Sequence, residues 1–534
     1  MTTPYEEGDP ASPICFVAEA PGRYEIIQGR PLVGPSGKIF NNLLQAAGIN
    51  RSDCYIINVC RERISSIEHL LNKKGVTDEG EEVAADLKER LSRATPNVTV
   101  ALGKLATALL VGDSRVSKLR GSPLPSTLVP GMEVIPTFHP AYLLPYRGDP
   151  NLKHTVISDL NKIKRHSIRP GLQIPERTLL VRPTFGEACE FLTDMGHSDR
   201  VAFDIEVYNH QVSCISFANH PYLAMSIPFT GDYWPDFREA IIWQRIADVL
   251  GDPNIEKVGQ YVTFDISFLL LQNRIRTRGP IFDPYVAHRI MYPQFPASLE
   301  FLCSIYTDEP YYKDDRKMWT RPDADQERFW RYNCKDSATT LEIWNALEPD
   351  LMADESALAT YIATFQNLDP ALYMMTKGTR IDIARLKEEK EKARTELEEK
   401  REQLNEMTKV GLNAQSPKQC TQYFYGLKGI KPYLNRKTGN PTCDDKALAR
   451  IIRRYNLPEA RLVQQIRGLA KLLSTYLDFQ YDADERLRCF YNIRGTTSGR
   501  LSSSKTVRGT GMNMQNIHPS FKQFIVPDPP EEWT

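Results

Sequence analysis

Five residues in the middle of the chain have types and spacings that suit metal-dependent chemistry. Asp204 and Glu206 are two residues apart in the apolar run VAFDIEVY, so a β-strand places both carboxylates on one face. Asp265 follows in GQYVTFDISFLL, and Tyr332 and Asp336 are four apart in YNCKDSATT, one turn of a helix. Carboxylates gathered on one side of a sheet repel one another unless cations bind between them. Two divalent ions about 3.5–4 Å apart would activate a water and stabilise the leaving oxygen of a phosphodiester.

In this order and with these neighbours, the five residues resemble the three motifs of DnaQ-type 3′–5′ proofreading exonucleases, as found in family A DNA polymerases. The segment FDPYVAHRIMYPQFPASLEFL at 282–302 is similar to the stretch between the second and third motifs of that family. The resemblance implies that Tyr332 orients the attacking water and that two Mg²⁺ or Mn²⁺ ions are held by Asp204, Glu206, Asp265 and Asp336. Tyr261 stands where the second motif usually has Asn. Since that Asn is not a metal ligand, we expect activity to survive with altered handling of the primer end.

A second set of candidate residues lies in short apolar strands near the amino terminus. Glu19 lies in ICFVAEA, Asn58 in CYIINV and His139 in EVIPTFHP. These strands alternate with helical segments over residues 13–165, which is an α/β pattern. A Gly-rich turn before a helix can bind phosphate, but without Gly-x-Gly-x-x-Gly the segment gives little support to a dinucleotide site.

Four segments of this block, taken in order, resemble the family 4 uracil-DNA glycosylases: AEAPGRYEIIQGRPLVGPSGKIFNNLLQAAGI, YIINVCRER, VTVALGKLA and FHPAYLL. Such enzymes flip a base into a pocket and stabilise the departing anion. The resemblance implies that Asn58 reads the uracil edge and that His139 donates to the developing oxyanion. It also implies that Glu19 or Glu25 positions water or stabilises the sugar cation, with backbone amides near Gly22 lining the pocket.

Three departures from that family bear on glycosylase activity. Ala18 stands where Gly is usual, and Leu32 replaces the Phe that stacks on the base. Cysteines in the pattern that holds an iron–sulfur cluster in many relatives are absent, so we expect no such cluster. Excision of uracil, binding of uracil or another modified base without cutting, and a purely structural module remain open. A cutting enzyme tethered to a polymerase would threaten its own template, which favours sensing or restrained activity.

The tail TTSGRLSSSKTVRGTGMNMQN carries side chains suited to sequence-independent DNA binding. Phosphates can be neutralised by Arg500 and Lys505 and hydrogen-bonded by Ser502, Ser503 and Ser504. The side-chain amides of Asn513, Gln515 and Asn516 can reach hydrogen-bond acceptors in the minor groove. With MMTKGTRID, LNAQSPKQCTQYF and RGLAKLLSTYLD, the tail resembles the thumb and early palm of family A DNA polymerases.

In that family the catalytic carboxylates and the fingers helix come after a segment like FKQFIVPDPPEEWT, with which this sequence closes. We therefore expect no polymerisation by this chain alone, because nucleotidyl transfer needs those carboxylates. An expressed fragment, a split gene whose second polypeptide supplies palm and fingers, and an intron or intein at this point are the open explanations.

Bulk properties agree with a DNA-processing protein without requiring one. Lys plus Arg equals Asp plus Glu at 67 each, so any DNA-binding surface must be local. Ten cysteines without a Cys-x-x-Cys pair fit a reducing cytoplasm. No run approaches the ~18 apolar residues of a membrane helix, and we expect no membrane partner. The acidic start MTTPYEEGDP is unlike a signal peptide.

We therefore predict a multidomain α/β chain. The expected blocks are a three-layer glycosylase-like domain at 1–168, a linker at 169–178, an RNase H-like exonuclease at 179–350, and a mostly helical, truncated polymerase thumb and palm at 351–534. The charged segment 385–407 predicts a solvated helix with one packed stripe, formed by Leu386, Ala393, Leu397 and Leu404.

This order of blocks looks like the replicative polymerases of certain large bacteriophages. It predicts a proofreading exonuclease that acts on primer–template and on single-stranded 3′ ends in the cytoplasm of an infected bacterial host. One alternative is a DNA-binding assembly subunit that docks a separate chain carrying palm and fingers. Another is a stand-alone repair protein that excises uracil.

Overall fold

The structure is a computed structural model of the 534-residue chain. It describes residues 2–73, 75–145, 151–231, 233–320, 325–435, 438–517 and 519–529. The chain divides into two compact units, residues 1–365 and 366–534. The described part of the first unit contains two large β-sheets and one small two-stranded sheet, and the second unit is largely helical. The predicted multidomain α/β class is confirmed, whereas the boundaries at 168, 178 and 350 stay predictions.

The first sheet has seven strands, of which the four central ones are parallel. Their spatial order is Thr2–Thr3, Glu6–Glu7, Cys54–Asn58, Ile14–Ala18, Val98–Leu102, Glu133–Thr137 and Leu124–Pro125. The central strands are buried along their whole length, as apolar strands covered on both faces must be. Because parallel strands share one carboxyl edge, that edge collects the residues that follow Ala18, Asn58, Leu102 and Thr137.

Helices cover both faces of this sheet. They are Arg23–Gln28, Pro35–Ala47, Asp78–Leu91, Lys104–Val111, Val116–Leu119 and Leu152–His166, with 3-10 turns at Arg51–Asp53 and Pro140–Leu143 and a hairpin of Leu71–Asn72 with Gly75–Val76. Alternate residues of one strand enter different cores: Phe16 packs with Phe40, and Val17 belongs to the cluster that contains Leu87. The result is a three-layer arrangement.

The second sheet has six strands and mixed direction. Their order is Thr178–Leu180, Leu223–Pro228, Gln211–His220, Arg200–Tyr208, Glu256–Val258 and Ile281–Phe282. The helical segments around it are Phe185–Gly196, Asp236–Gly251, Thr263–Phe268, Leu269–Asn273, Pro284–Met291, Leu299–Tyr306, Lys313–Thr320, Gln326–Ala353 and Glu355–Phe365. The long helix Gln326–Ala353 packs against five of the six strands and begins where the Asp325 side chain accepts from Arg328 N.

Buried polar contacts join the two halves of the first unit. Lys162 Nζ donates to the carbonyls of Ser304 and Thr307, at 2.7 and 2.6 Å. His166 lies between Glu133, 2.7 Å from its Nδ1, and Asp308, 3.1 Å from its Nε2. These two carboxylates hold the pKa of His166 at about 9 against the opposing effect of burial, which is the largest single influence. The helix Leu152–His166 thus anchors the first sheet layer to the second.

The second unit contains helical segments at Leu368–Lys377, Ile383–Thr408, Pro417–Thr421, Gln422–Leu427, Asp445–Tyr455, Pro458–Lys471 and Leu472–Leu477. Two short strand pairs join Thr379–Arg380 to Arg486–Leu487 and Phe490–Asn492 to Ser502–Ser504, and 3-10 turns follow at Met514–Asn516 and Pro519–Phe524. The predicted packed stripe is confirmed, because Leu386, Ala393, Leu397 and Leu404 are all buried. Among the described segments, every helix is too short or too polar to cross a membrane.

Candidate nuclease and base-recognition sites

The residues predicted to bind metal line one cleft of about 360 Å³ beside the second sheet. Asp204 and Glu206 come from the strand Arg200–Tyr208, and Asp336 comes from the helix Gln326–Ala353. These three carboxylates offer oxygens that all lie within 4.8 Å of one another. Hard oxygen ligands at this spacing suit Mg²⁺ or Mn²⁺.

Asp265 lies in the same cleft but outside this group of three. It occupies the helix Thr263–Phe268, and its Oδ1 accepts from Ile205 N at 3.0 Å. Ile205 separates the two strand carboxylates, so the bond fixes Asp265 against the strand that carries them. Tyr332 also lines the cleft, one helical turn before Asp336, as the sequence predicts.

Burial and the repulsion between neighbouring charges raise the pKa of three of the cleft carboxyls, those of Asp204, Glu206 and Asp265. The pKa of Asp204 lies well above its usual range, first because it is buried and then because Asp336 and Asp265 are close. Burial raises the pKa of Glu206 to about 7, against the opposing charge of Arg316. Burial likewise raises the pKa of Asp265. A bound cation would reverse these shifts, so the cleft favours cation binding once the carboxyls ionise.

Asn333 is a site residue that the motif spacing does not reveal. Its Nδ2 donates to Asp204 Oδ2 at 2.8 Å, and its Oδ1 accepts from Ser226 Oγ at 2.8 Å. Its backbone carbonyl accepts from Ser216 Oγ at 2.8 Å. Asn333 is fully buried, and it therefore fixes the orientation of the Asp204 carboxylate.

Two cations reach the acidic cleft from the segment before the long helix. Lys313 Nζ donates to Asp336 Oδ1 at 2.5 Å and to the Tyr332 hydroxyl at 3.2 Å. Arg316 Nε lies 3.7 Å from Glu206 Oε2. Two thirds of the Arg316 side chain is exposed, so the cleft stays open to solvent on this side. The sequence gives no signal for either residue, because both lie in a short, charged 3-10 segment, Lys313–Thr320, that carries no recognisable motif.

Tyr261, at the position where an Asn is expected, adopts a left-handed backbone with φ 58°. Its N–H donates to Asp283 Oδ1 at 3.0 Å, and its ring packs edge-on against Tyr285, 5.2 Å between centroids. Tyr261 lines the same cleft as Asp265. The position where the resemblance predicts an Asn therefore carries an aromatic ring that lines the acidic cleft.

At the carboxyl edge of the first sheet, the structure brings Glu19 and His139 together. Gly103 lies between them, with φ 90°, and a Cβ there would be 2.9 Å from both Glu19 Oε1 and His139 Cβ. Ala141 N donates to His139 Nδ1 at 3.1 Å, so the ring proton resides on Nε2. Burial lowers the pKa of His139, although Glu19 and Glu25 oppose that effect, and the ring is therefore a neutral donor.

Glu25, on the helix Arg23–Gln28, fixes the loop that carries Leu32 and leads into the helix Pro35–Ala47. The Glu25 carboxylate accepts from Val33 N and Gly34 N, at 2.9 and 2.8 Å, and so holds that loop together. Leu32, in place of the family's stacking Phe, is buried in the apolar core and has φ 47°. The side chain at this position therefore packs inward.

Asn58 lies at the same sheet edge but contacts the amino-terminal segment. Its side-chain amide donates to the Pro4 carbonyl at 3.4 Å, and its N–H donates to the Tyr5 carbonyl at 2.8 Å. The cavity around His139 has a volume of about 330 Å³, and a second cavity of about 570 Å³ begins at Val59, next to Asn58. Glu19 and His139 thus converge, while Asn58 sits beneath residues 4 and 5.

The residues predicted to bind DNA lie together in one small folded region of the second unit. Arg500 and Lys505 are exposed, as are Ser504, Asn513, Gln515 and Asn516, whereas Ser502 is half-buried and Ser503 is buried. Ser503 Oγ donates to Asn513 Oδ1 at 2.8 Å, and Gln515 Nε2 donates to the Leu501 carbonyl at 2.9 Å. Two of the residues predicted to contact the minor groove, Asn513 and Gln515, therefore form hydrogen bonds within this region.

An acidic cleft on a mixed sheet, beside a parallel sheet whose carboxyl edge brings Glu19 and His139 together, defines a protein that joins a nuclease-like domain to a second α/β domain. Residues 5–161 match the uracil DNA glycosylase superfamily, residues 184–352 the 3′-5′ exonuclease family, and residues 383–529 DNA polymerase family A. The type-4 uracil-DNA glycosylase of Thermotoga maritima is 38% identical over 167 residues, 31% of this chain and 83% of that protein.

Two polymerases match further along the chain. DNA polymerase I of Rhizobium leguminosarum is 29% identical over 293 residues, 51% of this chain and 27% of that protein. The DNA polymerase of Escherichia phage T5 is 30% identical over 192 residues, 33% of this chain and 22% of that protein. The chain thus belongs to the uracil-DNA glycosylase superfamily through residues 5–161, and it joins to that domain a 3′–5′ exonuclease domain and a family A DNA polymerase region.

Proposed function

We propose that the acidic cleft removes nucleotides from the 3′ end of DNA and so proofreads newly made primer ends. The observation that carries this proposal is the convergence of Asp204, Glu206 and Asp336, whose oxygens lie within 4.8 Å of one another. With Asp265 beside them, these residues would hold two Mg²⁺ or Mn²⁺ ions. Such ions lower the pKa of water and stabilise the leaving oxygen of a phosphodiester.

The protein's own side chains would prepare the cleft for this reaction. Asn333 holds the Asp204 carboxylate in one orientation, and the Ile205 N–H does the same for Asp265. The Tyr332 hydroxyl, at the rim of the carboxylate cluster, would orient the attacking water. The raised pKa of Tyr332, caused first by burial, keeps that hydroxyl protonated and able to donate.

Labelled DNA tests this proposal. A single strand labelled at its 5′ end should shorten stepwise with Mg²⁺, whereas a 3′-labelled strand should release its label as the first product. Asp204→Asn should abolish both signals. Stepwise loss from the 5′ end, or cleavage inside the strand, would contradict the proposed direction.

We also propose that the first domain binds a flipped uracil and excises it slowly. Support comes from the convergence of Glu19 with a neutral His139 whose Nε2–H is a donor, as a departing uracil anion requires. Restraint follows from Leu32, which packs into the core and leaves the base without the family's stacking ring. The role of Asn58 at the uracil edge requires the Pro4 contact to open.

Uracil-containing single strands treated with alkali test this second proposal. Slow formation of abasic sites that disappears in His139→Ala and Asn58→Ala supports excision. Binding of uracil-containing over thymine-containing strands without abasic sites supports sensing. Equal binding of both strands would contradict any base-recognition role.

We propose that both domains work during replication, on primer–template and single-stranded 3′ ends. Exposed Arg500 and Lys505 would bind phosphates beside the polymerase region. Polymerisation would depend on palm and fingers, for which a separate chain is one source. A phage origin, and with it the cytoplasm of an infected host, fits the similarity to the phage T5 enzyme. Co-purification from infected cells, followed by primer extension, tests for such a partner.

A further inference from the structure

A short segment of residues 311–316 contacts both halves of the first unit. On one side, Lys313 Nζ binds Asp336 Oδ1 at 2.5 Å and the Tyr332 hydroxyl at 3.2 Å. The ammonium lies 4.8 and 4.7 Å from the ring centres of Tyr312 and Tyr332. Only 14% of the Lys313 side chain is exposed, so this cation is a buried part of the cleft.

The same Asp336 oxygen has a second donor. The Tyr312 hydroxyl donates to Oδ1 at 2.7 Å, so Oδ1 already accepts from two groups. Asp336 is one of the three carboxylates that converge for metal binding. A divalent ion that takes this oxygen must displace the Lys313 ammonium, because two cations at one oxygen repel strongly where little water separates them.

The next residue, Asp314, turns to the glycosylase-like domain. Arg115 donates to Asp314 Oδ2 at 2.6 Å, and Lys118 Nζ lies 3.5 Å from Oδ1. Lys118 Nζ also donates to the Tyr311 hydroxyl at 3.3 Å. Arg115 and Lys118 line the cavity that contains His139. Successive residues of one segment thus contact the exonuclease carboxylates and the wall of the base-recognition cavity.

We propose that Lys313 is a positioning residue of the exonuclease that competes with a divalent ion for Asp336, and that the glycosylase-like domain strengthens this competition by holding Asp314. The inference rests on the proposed exonuclease function. A DNA strand whose phosphates bind Arg115 and Lys118 would release Asp314 and let Lys313 leave Asp336. Strand binding at the cavity and ion binding in the cleft would then favour each other, since such coupling is reciprocal.

A second anchor limits the size of this effect. Arg328 Nε donates to Asp315 Oδ1 at 2.9 Å, a contact that lies wholly within the exonuclease half. Loss of the Asp314 contacts alone therefore loosens the segment without freeing it. Removal of the Lys313 charge should have the larger effect on ion affinity.

Mn²⁺ binding to the purified full chain, followed by electron paramagnetic resonance, tests the proposal without any turnover. Lys313→Met should tighten Mn²⁺ binding roughly tenfold, and Asp314→Asn roughly threefold. Lys313→Arg, which keeps the charge, should stay near the wild-type affinity. Asp308→Asn is the matched control, because it removes a contact to His166 between the same two halves without touching the segment. Thermal melting of each variant verifies its fold.

Two results would overturn the inference. One is Mn²⁺ affinity in Lys313→Met equal to or weaker than wild type. The other is an Asp314→Asn protein that behaves like Asp308→Asn. If the wild type shows no Mn²⁺ binding that is lost in Asp204→Asn, the exonuclease proposal fails as well. If Asp204→Asn removes the ion but Lys313→Met changes nothing, only the inference about Lys313 fails.

Discussion

The side-chain amide of Asn333 joins the two elements that form the acidic cleft, donating to Asp204 Oδ2 at 2.8 Å while it accepts from Ser226 Oγ. Asn333 precedes Asp336 by less than one helical turn and points to the strand carboxylate. The helix that supplies one carboxylate thereby orients another. The orientation of the Asp204 carboxylate is thus controlled by a fully buried residue.

Replacement of Asn333 by Ala should slow exonuclease turnover about 10- to 100-fold, the usual effect of losing a residue that orients a metal ligand. It should also lower the free energy of unfolding by about 1–3 kcal/mol, because the Ser226 hydroxyl loses its buried acceptor. Single-turnover kinetics and chemical denaturation measure the two effects. Asn345→Ala, on the same helix, should leave turnover unchanged, and equal loss in both variants would refute the orienting role.

The raised pKa of Glu206, about 7, predicts how the metal-free protein responds to pH. Between about pH 4.5 and pH 7 the folded state holds a proton that the unfolded state has lost, so stability falls as pH rises through this window. Divalent ions bind the ionised form, and Mn²⁺ should therefore raise the melting temperature more at pH 8 than at pH 6.

Thermal melting with and without Mn²⁺ at these two pH values gives the measurement. Glu206→Gln should remove much of the pH dependence, while Glu190→Gln, at an exposed helix position, should keep it. If the increase in melting temperature caused by Mn²⁺ is no larger at pH 8 than at pH 6, the prediction that the ion must displace a proton from the cleft is wrong.

Gly103 should tolerate no side chain, because its Cβ would lie 2.9 Å from both Glu19 Oε1 and His139 Cβ. With φ 90° the backbone is also unfavourable for other residues. Gly103→Ala should therefore cost about 3 kcal/mol of stability and abolish any uracil excision. Gly112→Ala, at φ 74° but with no atom nearer to the new Cβ than Thr127 at 3.7 Å, should cost only about 1 kcal/mol. Denaturation curves compare the two, and equal costs would contradict crowding at Gly103.

The exposed cations of the tail should act through phosphates. Arg500→Ala and Lys505→Ala should each reduce the slope of log K against log salt for single-stranded DNA by about 0.7, and uniformly across sequences. Lys446→Ala, also at an exposed position but on the helix Asp445–Tyr455, should leave the slope unchanged. Fluorescence anisotropy at several salt concentrations measures the slope. An unchanged slope in both tail variants would show that Arg500 and Lys505 are not part of the DNA-binding surface.

The acidic cleft could be predicted partly from local patterns and partly from the resemblance to DnaQ-type exonucleases. Period two and period 3.6 place Asp204 with Glu206 on one strand face and Tyr332 with Asp336 on one helix face, and the resemblance implies that these pairs meet. Glu19 and His139 meet because parallel strands end at one edge. These relationships need no knowledge of side-chain packing.

Other parts of the sites depend on contacts distant in sequence. Lys313 contacts Asp336 from a short 3-10 segment whose charged composition gives no motif, and Asn333 is recognisable only once Asp204 lies beside it. Asn58 is covered by a Pro4 carbonyl from an amino-terminal segment whose sequence suggests only polarity. Ser503, predicted to face DNA, is buried against Asn513 because a short strand pair turns it inward.

The most direct test of the proofreading account is the length of a 5′-labelled primer with a mismatched 3′ end, annealed to its template and incubated with Mg²⁺. The wild-type chain should shorten the primer past the mismatch, Asp204→Asn should leave it intact, and EDTA should stop the wild type. A primer that keeps its length with the wild-type protein, or that shortens equally with Asp204→Asn, would contradict the assignment of the acidic cleft as the exonuclease site.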